Sequence, residues 1–197
     1  MTLGGLVLCG GRSLRMGRPK ASLPFGDETM LQRVVRAVAA AASPLVVVAG
    51  EEPLPAGLPA NVHAVRDRQP GRGPLEGLAV GLGALVGRCE AAFVTACDVP
   101  LLLPAFIHRM ADLAAGYDVA VPQVEGFDHP LCGVYRVSVL PAVEALLAAD
   151  RRRPAHLFDL VRTRRVSADE LRDVDPDLQS LFNVNSPEDY RRALEWD

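Results

Sequence analysis

Short apolar runs dominated by Val, Leu and Ala recur along the chain, and stretches with helical spacing separate most of them. Strands are expected at 3–10, 45–50, 61–65, 91–98, 118–123, 131–136 and 164–168. Helices are expected at 30–42, 73–87, 105–116, 138–150 and 186–196. In the first helix Leu31, Val34, Val35 and Val38 share one face, the 3.6-residue period of a half-buried helix. Ser138 and Ser186 are expected N-caps, each with a proline in the next turn (Pro141, Pro187), and Gly116 is expected to stop the third helix. The strand runs are continuously apolar rather than alternating, which suits strands covered on both faces. The pattern therefore predicts an α/β fold: a mostly parallel sheet with helices on both faces. Such sheets bind ligands at the carboxyl ends of their strands, where the strand order switches. No internal repeat or long linker interrupts the pattern, so residues 1–197 are expected to form a single domain, with the Pro-rich stretch 53–60 as an exposed loop.

Composition narrows the setting. Hydrophobic residues make up 49% of the chain and aromatic ones 5%, so the core must be mostly Val, Leu and Ala. A net charge of −3 gives no reason to expect nucleic acid as a partner. No apolar run approaches the roughly 20 residues of a membrane span, and the first residues lack the basic stretch of a signal peptide. The expectation is a cytoplasmic protein without membrane contact. Cys9, Cys89, Cys97 and Cys132 have no CxxC spacing, and they read as reduced, mostly buried thiols.

The segment LCGGRSLRMGRPK (8–20) carries the strongest chemical signal. A buried strand ends at Gly10-Gly11, and glycines let backbone N–H groups approach a ligand. Arg12, Arg15, Arg18 and Lys20 then concentrate positive charge in an acidic protein, as a polyanion such as a triphosphate requires. Of 21 basic residues, only Lys20 is a lysine. An ammonium is a compact point charge where a guanidinium is a planar fork, so a narrow phosphate site can demand the first. The segment is not a Walker A loop, because Lys20 is followed by Ala21 and Gly17 by Arg18. Nor does Gly10-Gly11 provide a dinucleotide G-x-G-x-x-G.

Further candidates lie on later strands. Asp98 follows the strand 91–98 on the ligand-binding rim. A hard cation such as Mg²⁺ takes one or two carboxylates plus substrate phosphates, and Asp98 suits that role, although taken alone it reads better as a turn-forming Asp before Pro. Asp67 repeats the position after 61–65, either as a second rim acid or as a loop residue. Gly73, Gly77 and Gly81 line one helical face, where packing accounts best for Gly81 and a ligand is credible beside Gly73. Asn183 and Asn185 share a face if extended, and can bind a polar heterocycle or form a turn. The histidines (63, 108, 129, 156) have no metal-ligand spacing.

Taken in order, LCGG (8–11), RMG (15–17), Lys20, Asp67, GPLEG (73–77), CDVP (97–100), His129-Pro130 and NVNSPE (183–188) resemble the molybdenum cofactor guanylyltransferase family (MobA) over nearly the whole chain. The resemblance implies a Rossmann-like three-layer sandwich and transfer of GMP from GTP to molybdopterin, with Mg²⁺ as cofactor and pyrophosphate as product. It implies that Leu8, Cys9, Gly10 and Lys20 bind GTP together with Asp67, that Asp98 holds Mg²⁺, and that Asn183 and Asn185 lie near the pterin. Gly11, Gly73 and Arg15 complete the expected site, with Lys20, Asp98 and Arg15 as its catalytic residues. Cys9 stands where the family usually has Ala. Ala49 stands where relatives can carry an Asn on the nucleotide, which bears on the choice of base. Protein partners in cofactor synthesis and delivery are implied as well. Rival readings are a molybdopterin cytidylyltransferase, a sugar-phosphate nucleotidyltransferase, or a non-catalytic GTP-binding module.

Overall fold

The computed structural model describes residues 1–10, 19–68 and 71–196. Its strands are β1 (Leu3–Cys9), β2 (Pro24–Phe25), β3 (Glu28–Thr29), β4 (Leu45–Ala49), β5 (Val62–Arg66), β6 (Ala91–Ala96), β7 (Val119–Val124), β8 (Phe127–Asp128), β9 (Cys132–Arg136) and β10 (Thr163–Ser167). Its helices are α1 (Met30–Ala39), α2 (Pro74–Leu85), α3 (Pro104–Leu113), α4 (Leu140–Ala148), α5 (Ala155–Phe158) and α6 (Pro187–Glu195). The main sheet has the order β10-β7-β9-β6-β1-β4-β5, with β8 paired to β7. β5, β4, β1 and β6 pair in parallel, as do β7 and β10, while β9 runs antiparallel to both β6 and β7.

Alternation along each strand divides the core in two. Val7, Val47, Phe93 and Val134 face α1 and α3. Leu6, Leu8, Val46, Val48, Val94 and Tyr135 face α2 and α4. This double coverage explains why the strands read as unbroken apolar runs. α1 buries Met30, Leu31, Val34, Val35 and Val38, at about 1.5–3 kcal/mol for each large side chain. Its start is fixed by a capping box, in which Thr29 Oγ1 accepts from Gln32 N–H and Gln32 Oε1 accepts from Thr29 N–H.

The glycine series resolves into two causes. A Cβ on Gly81 would lie 2.2 Å from Leu6 Cδ1, and one on Gly77 3.3 Å from Leu8 Cδ2. Both let α2 lie close on β1. Gly73 instead has φ +90° as the N-cap of α2, a conformation that L side chains rarely adopt.

Two helix ends differ from expectation. Ser138 is not an N-cap: it lies inside a 3₁₀ turn, Val137–Val139, and α4 starts from Val139. The extended residue before this turn is Arg136, so Ser138 is already inside the helical stretch and not in the extended conformation an N-cap needs. Gly116 takes the left-handed conformation at φ +83°, but α3 has already closed at Ala114, so the glycine turns the chain toward β7. Ser186 behaves as expected, in a capping box with Asp189.

Candidate active site

The strand order reverses at β1, whose neighbours are β4 on one side and β6 on the other. The crevice outside the carboxyl ends of β1 and β6 is therefore where an open α/β sheet receives a ligand. β1 delivers Leu8, Cys9 and Gly10 to that edge. β6 delivers Cys97 and then Asp98, with Cys97 N–H bonded to Leu8 O at 3.1 Å.

Lys20 comes to this edge from a single 3₁₀ turn, Lys20–Ser22. Its Nζ donates to Asp98 Oδ2 at 2.9 Å and to Asn185 Oδ1 at 2.7 Å. Asn183 Nδ2 donates to Asp98 Oδ1 at 3.1 Å, and Val184 N–H donates to Asp98 O at 2.8 Å. The segment Asn183–Asn185 thus runs beside the end of β6 as a brace, with both amides facing the ion pair and Val184 buried behind it. The Lys20 and Asp98 side chains keep 18% and 15% of their surface exposed, so the pair is shielded yet open to a ligand. Charge-assisted hydrogen bonds in such a place are about twice as strong as neutral ones.

The brace is fixed from behind. Ser186 N–H and Asn185 N–H both donate to Asp189 Oδ2, at 2.8 and 3.0 Å. α6 also reaches the Lys20 side of the site, where the Tyr190 hydroxyl donates to Pro24 O. Leu23, Phe25, Met30, Leu101, Val184 and Ala193 form a small core beneath. The two halves of the site are therefore packed on one another.

Two other expected residues stand farther along the same rim. Asp67 follows β5, with its N–H on Ala49 O at 2.9 Å, and Gly73 opens α2. Ala49 is the register partner of Cys9. Gly11 and Arg15 lie outside the described residues. The sequence did not reveal the buried Glu76, 5% exposed. It sits 3.9 Å from Arg72, which also bonds Asp150 at 3.3 Å and so ties the start of α2 to the end of α4. A charged residue inside the otherwise apolar helix 73–87 was the one available signal. Among the described residues no group of three or more His, Cys, Asp or Glu could cage a metal, and no helix is long and apolar enough to cross a membrane.

An ammonium and a carboxylate joined at the switch point of a doubly wound sheet suit a phosphorylated ligand, and residues 5–166 match the MobA-like NTP transferase domain. The chain belongs to that family. As a member it is a nucleotidyltransferase. A Carboxydothermus hydrogenoformans protein named probable molybdenum cofactor guanylyltransferase is 35% identical over 95% of this chain and 93% of its own. A Mycobacterium bovis protein of the same name is 38% identical over 93% and 89%. The crystal structure of molybdopterin-guanine dinucleotide biosynthesis protein A from Archaeoglobus fulgidus matches with a TM-score of 0.80 at 22% identity, covering 100% of this chain and 98% of that one. A Mycobacterium tuberculosis protein crystallised in complex with manganese matches with a TM-score of 0.67 at 20% identity over 99% of both chains. These structural likenesses speak for the Rossmann-like fold.

Proposed function

We propose that this nucleotidyltransferase moves GMP from GTP to the phosphate of molybdopterin, releasing pyrophosphate and leaving a guanine dinucleotide form of the cofactor. It works in the cytoplasm as one domain spanning residues 1–197, and hands its product to protein partners in cofactor delivery. The observation that carries the reading is the Lys20–Asp98 pair at the carboxyl edge of β1 and β6, beside Gly10. The names of relatives sharing 35–38% of the sequence support the choice of substrates.

The chemistry asks little of the protein in covalent terms. The acceptor phosphate oxygen attacks the α-phosphorus of GTP in line, a new P–O bond forms, and the α–β bridging bond breaks as pyrophosphate leaves. The nucleophile is already ionised, so the chain must supply position and charge. Lys20 offsets phosphate charge as a point cation, and the Gly10 backbone comes close to the nucleotide. Asn183 and Asn185 hold Asp98 and Lys20 in register with each other. Arg15 adds positive charge to the same loop, and Asp67 and Gly73 extend the rim toward the nucleoside. A rim carboxylate such as Asp98, outside any group of three or more ligating side chains among the described residues, fits Mg²⁺, which keeps waters and substrate phosphates as its other ligands. Asp98 would hold that ion, whose bound form neutralises charge gathering between the phosphates.

The test is pyrophosphate release with molybdopterin and Mg²⁺, comparing GTP, CTP, ATP and UTP. GTP is expected to be preferred, whereas preference for CTP would make the enzyme a cytidylyltransferase. Asp98→Ala is expected to abolish turnover while its circular dichroism stays native. Wild-type turnover in that variant overturns the role given to Asp98.

A further inference from the structure

Two thiols meet at the edge where the site is built. The parallel register that pairs Leu8 with Ala96 continues one step, to Cys9 opposite Cys97, and the Cys97 N–H bond to Leu8 O at 3.1 Å holds that step in the ladder. Neighbouring strands lie about 4.8 Å apart, within the Cα separation of about 4.4–6.8 Å that a disulfide spans. Both side chains leave the sheet on the face of Val7, against the α1–α3 layer. The neighbouring Cys9 thiol, and burial after it, push the Cys97 thiol well above its usual range, as two thiols side by side would. Both are free thiols; Cys97 is buried and Cys9 partly exposed. The other two cysteines lie elsewhere. Cys132 is buried with its Sγ on Ser180 O at 3.4 Å, and Cys89 packs under Gly4 at the far end of β1.

We propose that Cys9 and Cys97 form a reversible oxidation site whose disulfide switches off nucleotidyl transfer. A peroxide supplies the oxidising equivalent. The Cys9 sulfur, the one that solvent reaches, attacks a peroxide oxygen. The O–O bond breaks, one water leaves with the thiol proton, and Cys9 becomes a sulfenic acid. The Cys97 sulfur then attacks the Cys9 sulfur. The S–O bond breaks, and the hydroxyl leaves as a second water with the Cys97 proton. Two electrons have passed from two thiols to one peroxide, and a dithiol reductant returns them by exchange. In a reducing compartment such a pair stays open until an oxidant arrives.

The bond acts on the site through the residue adjoining each cysteine. Gly10 comes next after Cys9, and Asp98 next after Cys97. Drawing the two free sulfurs together to about 2.05 Å shifts both strand ends. It thereby moves the carboxylate that meets Lys20 at 2.9 Å and Asn183 at 3.1 Å. A displacement on the order of 1 Å at a reacting centre can cost about 100-fold in rate.

The inference rests on the transfer reading for its effect on activity, and not for the linkage itself. The full chain is treated with hydrogen peroxide, denatured, and its free thiols counted. The count is expected to fall from the four free thiols of the reduced chain to two. The intact mass should lose two hydrogens and gain no oxygen, and peptide mapping should join Cys9 to Cys97. Pyrophosphate release should drop by about 10-fold or more and return with dithiothreitol. Cys97→Ser is expected to keep basal turnover and to show no linked peptide after peroxide. Cys97→Ala serves the same purpose if a hydroxyl disturbs the buried position. A different pairing, no pairing, or a linked enzyme with undiminished turnover overturns the inference. If the linkage forms but the reduced chain releases no pyrophosphate from any nucleotide, the transfer reading fails and the oxidation site stands.

Discussion

Gly81→Ala and Gly83→Ala make the same chemical change two residues apart on α2 and are expected to move stability in opposite directions. At Gly83 an added Cβ meets nothing within 4 Å, so the variant should gain the usual helix preference of Ala over Gly, about 0.5–1 kcal/mol. At Gly81 the Cβ would stand 2.2, 2.5 and 2.9 Å from three side-chain carbons of Leu6. Leu6 is fully buried, so it has nowhere to go without displacing α2 or its neighbours on β1. Overpacking of this kind costs about 1–3 kcal/mol, and both branches of the leucine are struck, which favours the upper half of that range. Subtracting the helix gain leaves a net loss of about 1–2.5 kcal/mol. For a chain of this length each kcal/mol moves the melting temperature by about 2–4 °C. Thermal and urea unfolding of the two variants beside the parent should therefore place them on opposite sides of it. A Gly81→Ala protein as stable as Gly83→Ala would refute the claim that Gly81 lets the helix lie on β1.

Lys20→Arg keeps the charge but replaces a point donor with a fork, and turnover is expected to fall by about 100-fold or more in the pyrophosphate assay. Ser186→Ala removes the hydroxyl that accepts from Asp189 N–H at 3.1 Å; it should cost about 1 kcal/mol in unfolding experiments and loosen Asn185. Burial holds the His129 imidazole below its ordinary value of 6.5, against the opposing pull of Asp128. The unfolded chain therefore takes up this proton more readily, so stability at pH 7.5 should decline as pH falls below 6.5 and level off once folded His129 is also protonated; His129→Asn should flatten that part of a melting-temperature profile.

Much of this architecture was legible in the sequence because it is local. Unbroken apolar runs marked the buried strands, and Leu31, Val34, Val35 and Val38 marked the buried face of α1. Gly10 and Asp98 could be placed on one rim because both follow strands of the same sheet. Strand direction was less accessible, since an apolar run looks the same whichever way it pairs, and nothing in 131–136 announces that β9 runs against its neighbours. Ser138 misled because a serine before a proline has the same local signature whether the preceding residue is extended or already turning. The role of Asn183 and Asn185 was hidden for another reason. Their partners, Asp98 and Lys20, lie 85 and 165 positions away, and no periodicity records a contact of that span. The meeting of Cys9 with Cys97 needed the register of β1 against β6.

The distance along the chain between Lys20 and Asn185 has a consequence for the newborn protein. Synthesis adds about 5–20 residues per second, so across 165 positions the lysine leaves the ribosome about 8–33 s before the asparagine that will hold it. During that interval Lys20 and Asp98 are without their brace, and α6 has yet to latch onto Pro24. A nascent chain that has not yet exposed Asn183–Asn185 is thus expected to have a sheet but no competent centre, and catalysis waits for that segment to emerge.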